Sequence, residues 1–212
     1  MEKYSHIIWD FNGTLYDDVD VCLSCGRRLM RAHGLEPIGS LEEYRAIFGF
    51  PIIDYYARMG FDFEKTPYAE LAVEWVAYYN EESVAAGLAA GAHEVLSAIK
   101  ARGVPQLVLS ASEQRMLEGQ IEALGIAGYF DTLLGQSDIH AHGKLEIARA
   151  WRAKNPDAIP LLIGDTDHDA AVAQAIGADC ILLASGHQSR ETLLRCQPLC
   201  VLDSPGDILE QL

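Results

Sequence analysis

The chain has 212 residues, half of them hydrophobic, which allows one sizeable core or a core with a small second domain. A net charge of −15 with only 16 Lys and Arg argues against nucleic acid or an anionic membrane as partner, and no basic run makes a local exception. No apolar stretch is long enough to cross a bilayer, and the start MEKYSHIIWD has no long apolar run, so no secretory signal is expected. The odd count of five cysteines points to reduced thiols and a cytoplasmic chain.

In chain order, the first apolar run is HIIWD at 6–10. Nearly all of 17–86 then reads as helix, broken at Gly34, Pro37–Gly39, Gly49–Pro51 and Gly60–Pro67. Helix-period stretches at 90–102, 113–124, 144–153, 168–177 and 189–195 alternate with short apolar runs at 105–110, 131–135, 160–164, 179–184 and 199–202. Alternation of this kind predicts a doubly wound α/β fold, a parallel sheet with helices on both faces and strands buried on both sides. The helical block after strand one is expected to sit as a cap beside the carboxyl ends of the strands, where such folds bind ligands. The expected division is a core of 1–16 plus 87–212 and a cap of 17–86.

Polar residues follow several apolar runs directly: Asp10 after HIIW, Ser110 after QLVL, and Asp165 after PLLIG in GDTDHDAA, which also holds Asp167 and Asp169. A parallel sheet brings such strand ends to one edge, with Lys144, at the start of a helix, nearby. Asp10, Asp165 and Asp169 together would repel one another unless a cation neutralised them. Carboxylates and backbone carbonyls suit Mg²⁺, which also bridges to phosphate. Lys144, the Ser110 hydroxyl and backbone N–H groups near Gly13 and Thr14 could hold phosphate oxygens, and an aspartate beside the metal could attack phosphorus. Taken singly, Asp10 and Asp165 also read as turn or cap residues. Asp17 and Asp18 are expected to cap the first helix after strand one, Asp167 is expected to be a solvated turn residue, and the cysteine pairs 22/25 and 196/200 are read as buried thiols rather than a zinc site.

IIWDFNGTL, LVLSAS, the helix-opening Lys144 and LIGDTDHDAAVAQAIGAD, in that order, resemble the four motifs of the haloacid dehalogenase superfamily, in particular its phosphoglycolate-phosphatase-like branch with a helical cap. The resemblance covers nearly the whole chain. It implies a Mg²⁺-dependent phosphatase acting on a small phosphorylated metabolite, as monomer or homodimer. Asp10 would be nucleophile and metal ligand, and Asp165 and Asp169 metal ligands. Gly13, Thr14, Ser110, Ala111 and Lys144 would hold the phosphoryl group. Arg45, in RAIFGFP, is the expected substrate contact from the cap.

One position departs from the pattern. The second aspartate of the family's first motif, its general acid and base, is Asn12 here. The backbone carbonyl that this position gives to the metal is kept, but an amide neither donates nor accepts a proton near neutrality. Acid–base help of this kind is worth ~10²–10⁴ in rate, so a weakened phosphatase is expected. The alternative is a catalytically impaired phosphate-ligand binding or regulatory protein on the same frame. His140 and His142 are candidates for a substitute proton relay. Lys65 is the lone lysine of the cap and is expected to be solvated rather than a Schiff-base lysine.

Overall fold

A computed structural model of the chain describes residues 3–137 and 143–211. Six parallel strands form one sheet: β1 (His6–Trp9), β2 (Gln106–Glu113), β3 (Thr132–Gln136), β4 (Pro160–Gly164), β5 (Asp179–Leu183) and β6 (Cys200–Leu202), in the order β3-β2-β1-β4-β5-β6. Side chains alternate across it. Ile7, Trp9, Val108, Leu161 and Ile163 face one way, and Ile8, Leu107, Leu109 and Leu162 face the other. Helices α5 (Ala92–Ala101) and α6 (Gln114–Ala123) cover the first face. Helices α7 (Leu145–Lys154), α8 (Asp167–Ile176) and α9 (Arg190–Arg195) cover the second. The winding direction changes between β1 and β4, so the crevice at their carboxyl ends is the place where such a sheet takes a ligand.

Between β1 and α5 the chain forms an insert of α1 (Val19–Ala32), α2 (Leu41–Ile47), α3 (Ile52–Arg58) and α4 (Tyr68–Glu82). In α1, Val19, Cys22, Leu23, Gly26, Leu29 and Met30 are buried, an apolar stripe at helical spacing. Buried residues of α1 to α4 join those of the first sheet face in one continuous apolar cluster. Among the described residues, no helix is long and apolar enough to cross a membrane.

The expected elements are present, with one informative shift. The run at 105–110 continues as strand to Glu113, and its register with β3 breaks between Leu109 and Glu113. The irregular stretch is Ser110-Ala111-Ser112, so the strand loosens where it reaches the site.

Candidate active site

Asp10 directly follows β1, Ser110 lies in β2, and Asp165 directly follows β4. Carboxylate oxygens of Asp10, Asp165 and Asp169 lie within 4.8 Å of one another, and all three residues are buried. Local structure sets each of them. Thr166 and Asp169 form a capping box at the start of α8, in which Asp169 Oδ2 accepts from the N–H groups of Asp165 at 3.1 Å and Thr166 at 3.0 Å. The Thr14 hydroxyl lies 3.2 Å from Asp10 Oδ2 and 3.1 Å from Asp165 Oδ1, so one proton is shared between two carboxylates. The backbone N–H of His187, in the loop after β5, donates to Asp165 Oδ2 at 2.6 Å.

Two glycines make this crowding possible. Gly13 has φ +69°, and a Cβ there would lie 2.4 Å from Asp165 Oδ2. A Cβ on Gly186 would lie 2.1 Å from the same oxygen. Both positions require the absence of a side chain, and Gly13 also requires a left-handed backbone.

Lys144, buried at the start of α7, reaches into the group. Its ammonium pairs with Asp10 Oδ1 and, at 2.6 Å, with Asp169 Oδ1, and it donates to the Leu109 carbonyl at 3.1 Å. Burial opposes its charge, but Asp10 and Asp169 outweigh that and hold Lys144 above its ordinary value. Asp169 shows the converse: burial favours the neutral acid, but Lys144 outweighs it and holds Asp169 below its ordinary value. Asp165 has no such partner, and burial, followed by the charge of Asp169, pushes it up to about 7. Asp10 is raised as well, by burial against the pull of Lys144. Fully ionised, three carboxylates against one ammonium would carry two negative charges in excess, and the raised Asp165 and Asp10 hold protons in place of a cation. Hard oxygen donors with that excess suit one divalent cation such as Mg²⁺.

Asn12 sits beside this cluster in a closed hydrogen-bond network. Its Nδ2 donates to Asp18 Oδ2 at 2.6 Å and to Tyr79 Oη at 2.8 Å, and its Oδ1 accepts from the Ser112 hydroxyl at 2.7 Å. Asp18 departs from the expectation for it. It stands at the N-cap of α1, yet its side chain makes no cap hydrogen bond. Instead Asp18 is buried and accepts from the Gly13 N–H at 2.9 Å, from Asn12 and from Tyr79 at 2.6 Å, with His187 Nε2 3.7 Å away. A buried carboxylate takes several donors before it takes one weak cap bond. Cys22 Sγ also contacts Asp18, at 3.6 Å. Cys22 gathers with Asp18 and His187 rather than with other cysteines, and all five thiols are free.

A cavity of about 150 Å³ opens from the carboxylates toward the helical insert. Asp10, Asn12, Ser110, Ala111, Lys144, Asp165 and Asp169 line its floor. Gly13 and Thr14 are buried beneath that floor. Arg45 is absent from the described lining. Its guanidinium donates to the carbonyls of Gly186 at 2.9 Å and Ser185 at 2.7 Å, tying α2 to the loop after β5. Phe48 and Phe50, from the same RAIFGFP stretch, do line the cavity. Lys65 is exposed and pairs with Asp62 at 3.1 Å. His140 and His142 lie outside the described residues.

Sequence reasoning missed His187 and Tyr79 as neighbours of the site. His187 follows the apolar run of β5, and the rule that picked out Asp10 and Asp165, polar residues after a buried strand, applies to ILLASGH as well. Tyr79 left no such signal, since a tyrosine on a helix face reads as packing.

A sequence profile of the haloacid dehalogenase-like hydrolases matches residues 7–183. The "Probable phosphatase IndB" of Dickeya dadantii is 24% identical, over 96% of this chain and 91% of that protein. A phosphoglycolate phosphatase of Synechococcus elongatus is 22% identical, over 96% and 95%. Among solved structures, a haloacid dehalogenase-like hydrolase of Streptococcus pneumoniae superposes with a TM-score of 0.85 at 20% identity, over 100% of this chain and 99% of that one. Protein Tyrosine Kinase A of Mycobacterium tuberculosis superposes at 0.81, also at 20% identity, over 100% and 98%. At these identities the structural likeness is one of fold.

Proposed function

The chain belongs to the haloacid dehalogenase-like hydrolases, and from that premise we propose that it is a Mg²⁺-dependent phosphohydrolase acting on a small phosphate monoester. The observation that carries the reading is the buried group of Asp10, Asp165 and Asp169 around Lys144 at the floor of a cavity, three carboxyl groups with one ammonium among them. Asp10, Asp165, Asp169 and the carbonyl of Asn12 would hold the ion. When bound, Mg²⁺ supplies the charge that lets a dianionic phosphoryl group approach these carboxylates.

Asp10 is the nucleophile, attacking phosphorus to form an aspartyl-phosphate. Lys144, pinned between Asp10, Asp169 and the Leu109 carbonyl, keeps its proton throughout and presents a fixed positive charge to the transferring group. The Ser110 hydroxyl and the N–H groups of the loosened Ser110–Ser112 stretch bind phosphoryl oxygens, and Gly13 and Thr14 hold the loop that carries Asn12. The helices α1 to α4 act as the cap that covers the substrate.

Asn12 gives no proton to the leaving oxygen, and its two acceptors and one donor hold its amide still. Hydrolysis is therefore slow for esters whose leaving group needs protonation, by ~10²–10⁴ relative to a carboxylic acid at this position. A second reading, a binding or regulatory protein on the same frame, draws on that network, which is complete without any proton transfer.

The test is to restore the carboxylate. Asn12→Asp alone places it against Asp18, whose Oδ2 is 2.6 Å from Asn12 Nδ2, and like charges there oppose the productive arrangement. Asn12→Asp combined with Asp18→Asn moves the single charge from one position to the other. Para-nitrophenolate leaves without an acid, so the gain falls on the second step, in which a carboxylate at position 12 takes a proton from the water that attacks the aspartyl-phosphate; we expect kcat of the double variant on para-nitrophenyl phosphate with Mg²⁺ to exceed the parent's by ~10²-fold, and the single variant to gain less. Mg²⁺-dependent ligand binding with no turnover by parent, single or double variant would establish the second reading instead.

A further inference from the structure

Resting on the phosphohydrolase reading above, we infer that the substrate is an aryl phosphate monoester: one phosphate on a flat apolar body, with no second anionic group. The cavity wall opposite the carboxylates includes Tyr44, Phe48, Tyr55, Tyr56, Trp75 and Tyr79. Its volume is about 150 Å³. The phosphoryl group takes part of that space at the carboxylate floor, and the rings bound what remains.

Charge points the same way. Among the described residues, Lys144 is the lysine or arginine in the lining, and Asp10 and Asp169 already take its ammonium. The arginines of the insert lie elsewhere. Arg27 donates to the carbonyls of Ile38 and Gly39, Arg28 pairs with Glu81 and Glu82, Arg45 holds the loop after β5, Arg58 donates to the Ile47 carbonyl, and Arg31 is exposed on α1 and outside the lining. Glu113 adds an acid to the rim. The Tyr44 hydroxyl is held by His187 at 2.7 Å and that of Tyr79 by Asp18, and the buried Tyr55 hydroxyl, unpaired among the described residues, offers one neutral hydrogen bond and no charge. A substrate carboxylate would lose its water here and meet no cation, which is costly. A ring would meet rings, at favourable offset or edge-on geometry.

Asn12 supplies an independent argument. As an Asp10 oxygen bonds to phosphorus, the bond from phosphorus to the ester oxygen breaks and its electron pair stays on that oxygen. A phenoxide, conjugate to an acid of pKa about 10, departs without help and takes its proton from solvent. An alkoxide, a far stronger base whose conjugate acid is about as weak as water, needs the acid that Asn12 cannot be. Water then attacks phosphorus, phosphate leaves, the Asp10 carboxylate is restored and the extra proton passes to solvent. A ring-lined pocket and a missing general acid thus select the same ester.

The experiment has a kinetic and a binding arm, both on the full chain with Mg²⁺. Phenyl phosphate and 1-naphthyl phosphate should exceed phosphoglycolate and glycerol phosphate in kcat/KM by at least about 10²-fold. Phenylphosphonate, which cannot be hydrolysed, should bind at least about tenfold more tightly than phosphonoacetate by calorimetry, separating recognition from leaving-group reactivity. Trp75→Arg should narrow both ratios by supplying the missing cation. Phosphoglycolate turned over as well as the aryl esters, or phosphonoacetate bound as tightly as phenylphosphonate, overturns the inference and leaves the phosphohydrolase reading intact. No turnover of any ester, para-nitrophenyl phosphate included, overturns that reading, and the phosphonate pair then decides the inference by itself.

Discussion

The two sides of the cavity are built on opposite principles. The floor is a sheet edge where buried charges are fixed by short loops, a capping box and glycines that leave no room for a side chain. The wall is a set of helices whose rings pack against one another, as Trp75 on Tyr79 with centroids 5.0 Å apart and Phe48 against Tyr55 at 5.2 Å. The floor carries strong, local, directional forces, and a change of one atom there alters the charge balance. The wall carries many weak, shape-dependent contacts, so single changes there should shift which molecule binds more than whether chemistry occurs.

The largest expected effect is on the floor. Asp10→Asn removes the nucleophile, and steady-state hydrolysis of para-nitrophenyl phosphate should fall by at least about 10³-fold. The same variant should still bind phenylphosphonate, since the wall is untouched; loss of binding as well would show that the two sides are not separable. Lys144→Gln leaves three buried carboxylates without their ammonium. The metal-free variant should lose roughly 3–5 kcal/mol of stability in urea unfolding, and Mg²⁺ should return part of it.

A pH series probes the floor with no substitution. Asp165 is held at about 7 against an ordinary 3.8, by burial first and by Asp169 second, so folding tightens its proton. The resulting stability is complete below pH 3.8 and is lost as pH rises through about 7. In EDTA, this group should therefore make the folded state less stable at pH 8 than at pH 5.5. Mg²⁺ should raise the melting temperature more at pH 8, where it competes with fewer protons. An equal Mg²⁺ effect at both pH values would remove Asp165 from the ion's ligands.

The smallest effect belongs to the wall. Ser40 caps α2 by accepting from the Glu43 N–H, and α2 carries Tyr44. Ser40→Ala should cost about 1 kcal/mol of stability. It should weaken phenylphosphonate binding slightly and leave the Mg²⁺ affinity unchanged.

How far each side could be read from the sequence follows from the same contrast. Asp10, Ser110 and Asp165 were legible because each directly follows a buried apolar run, and parallel strands deliver such residues to one edge whatever the rest of the chain does. Lys144 was legible because it opens a helix in the same winding. Asp18 holds the expected N-cap position of α1, but its side chain turns away from the cap, because position in the chain does not say which way a buried carboxylate turns when several donors compete for it. Arg45 was expected to face a substrate, yet its guanidinium lies on two loop carbonyls across the domain, partners 140 and 141 residues away in sequence.

The sequence by itself determined the order of strands and helices, the gathering of Asp10, Asp165 and Asp169, and the absence of a titratable group at position 12. These depend on period, strand ends and residue chemistry, all of which are local. Only the tertiary structure decided that Asn12 is locked between Asp18, Tyr79 and Ser112, that His187 enters the site, and that the insert offers rings rather than arginines. Those outcomes depend on how α1 to α4 pack on the sheet, and a helix presents a different face to its neighbour for each rotation about its own axis.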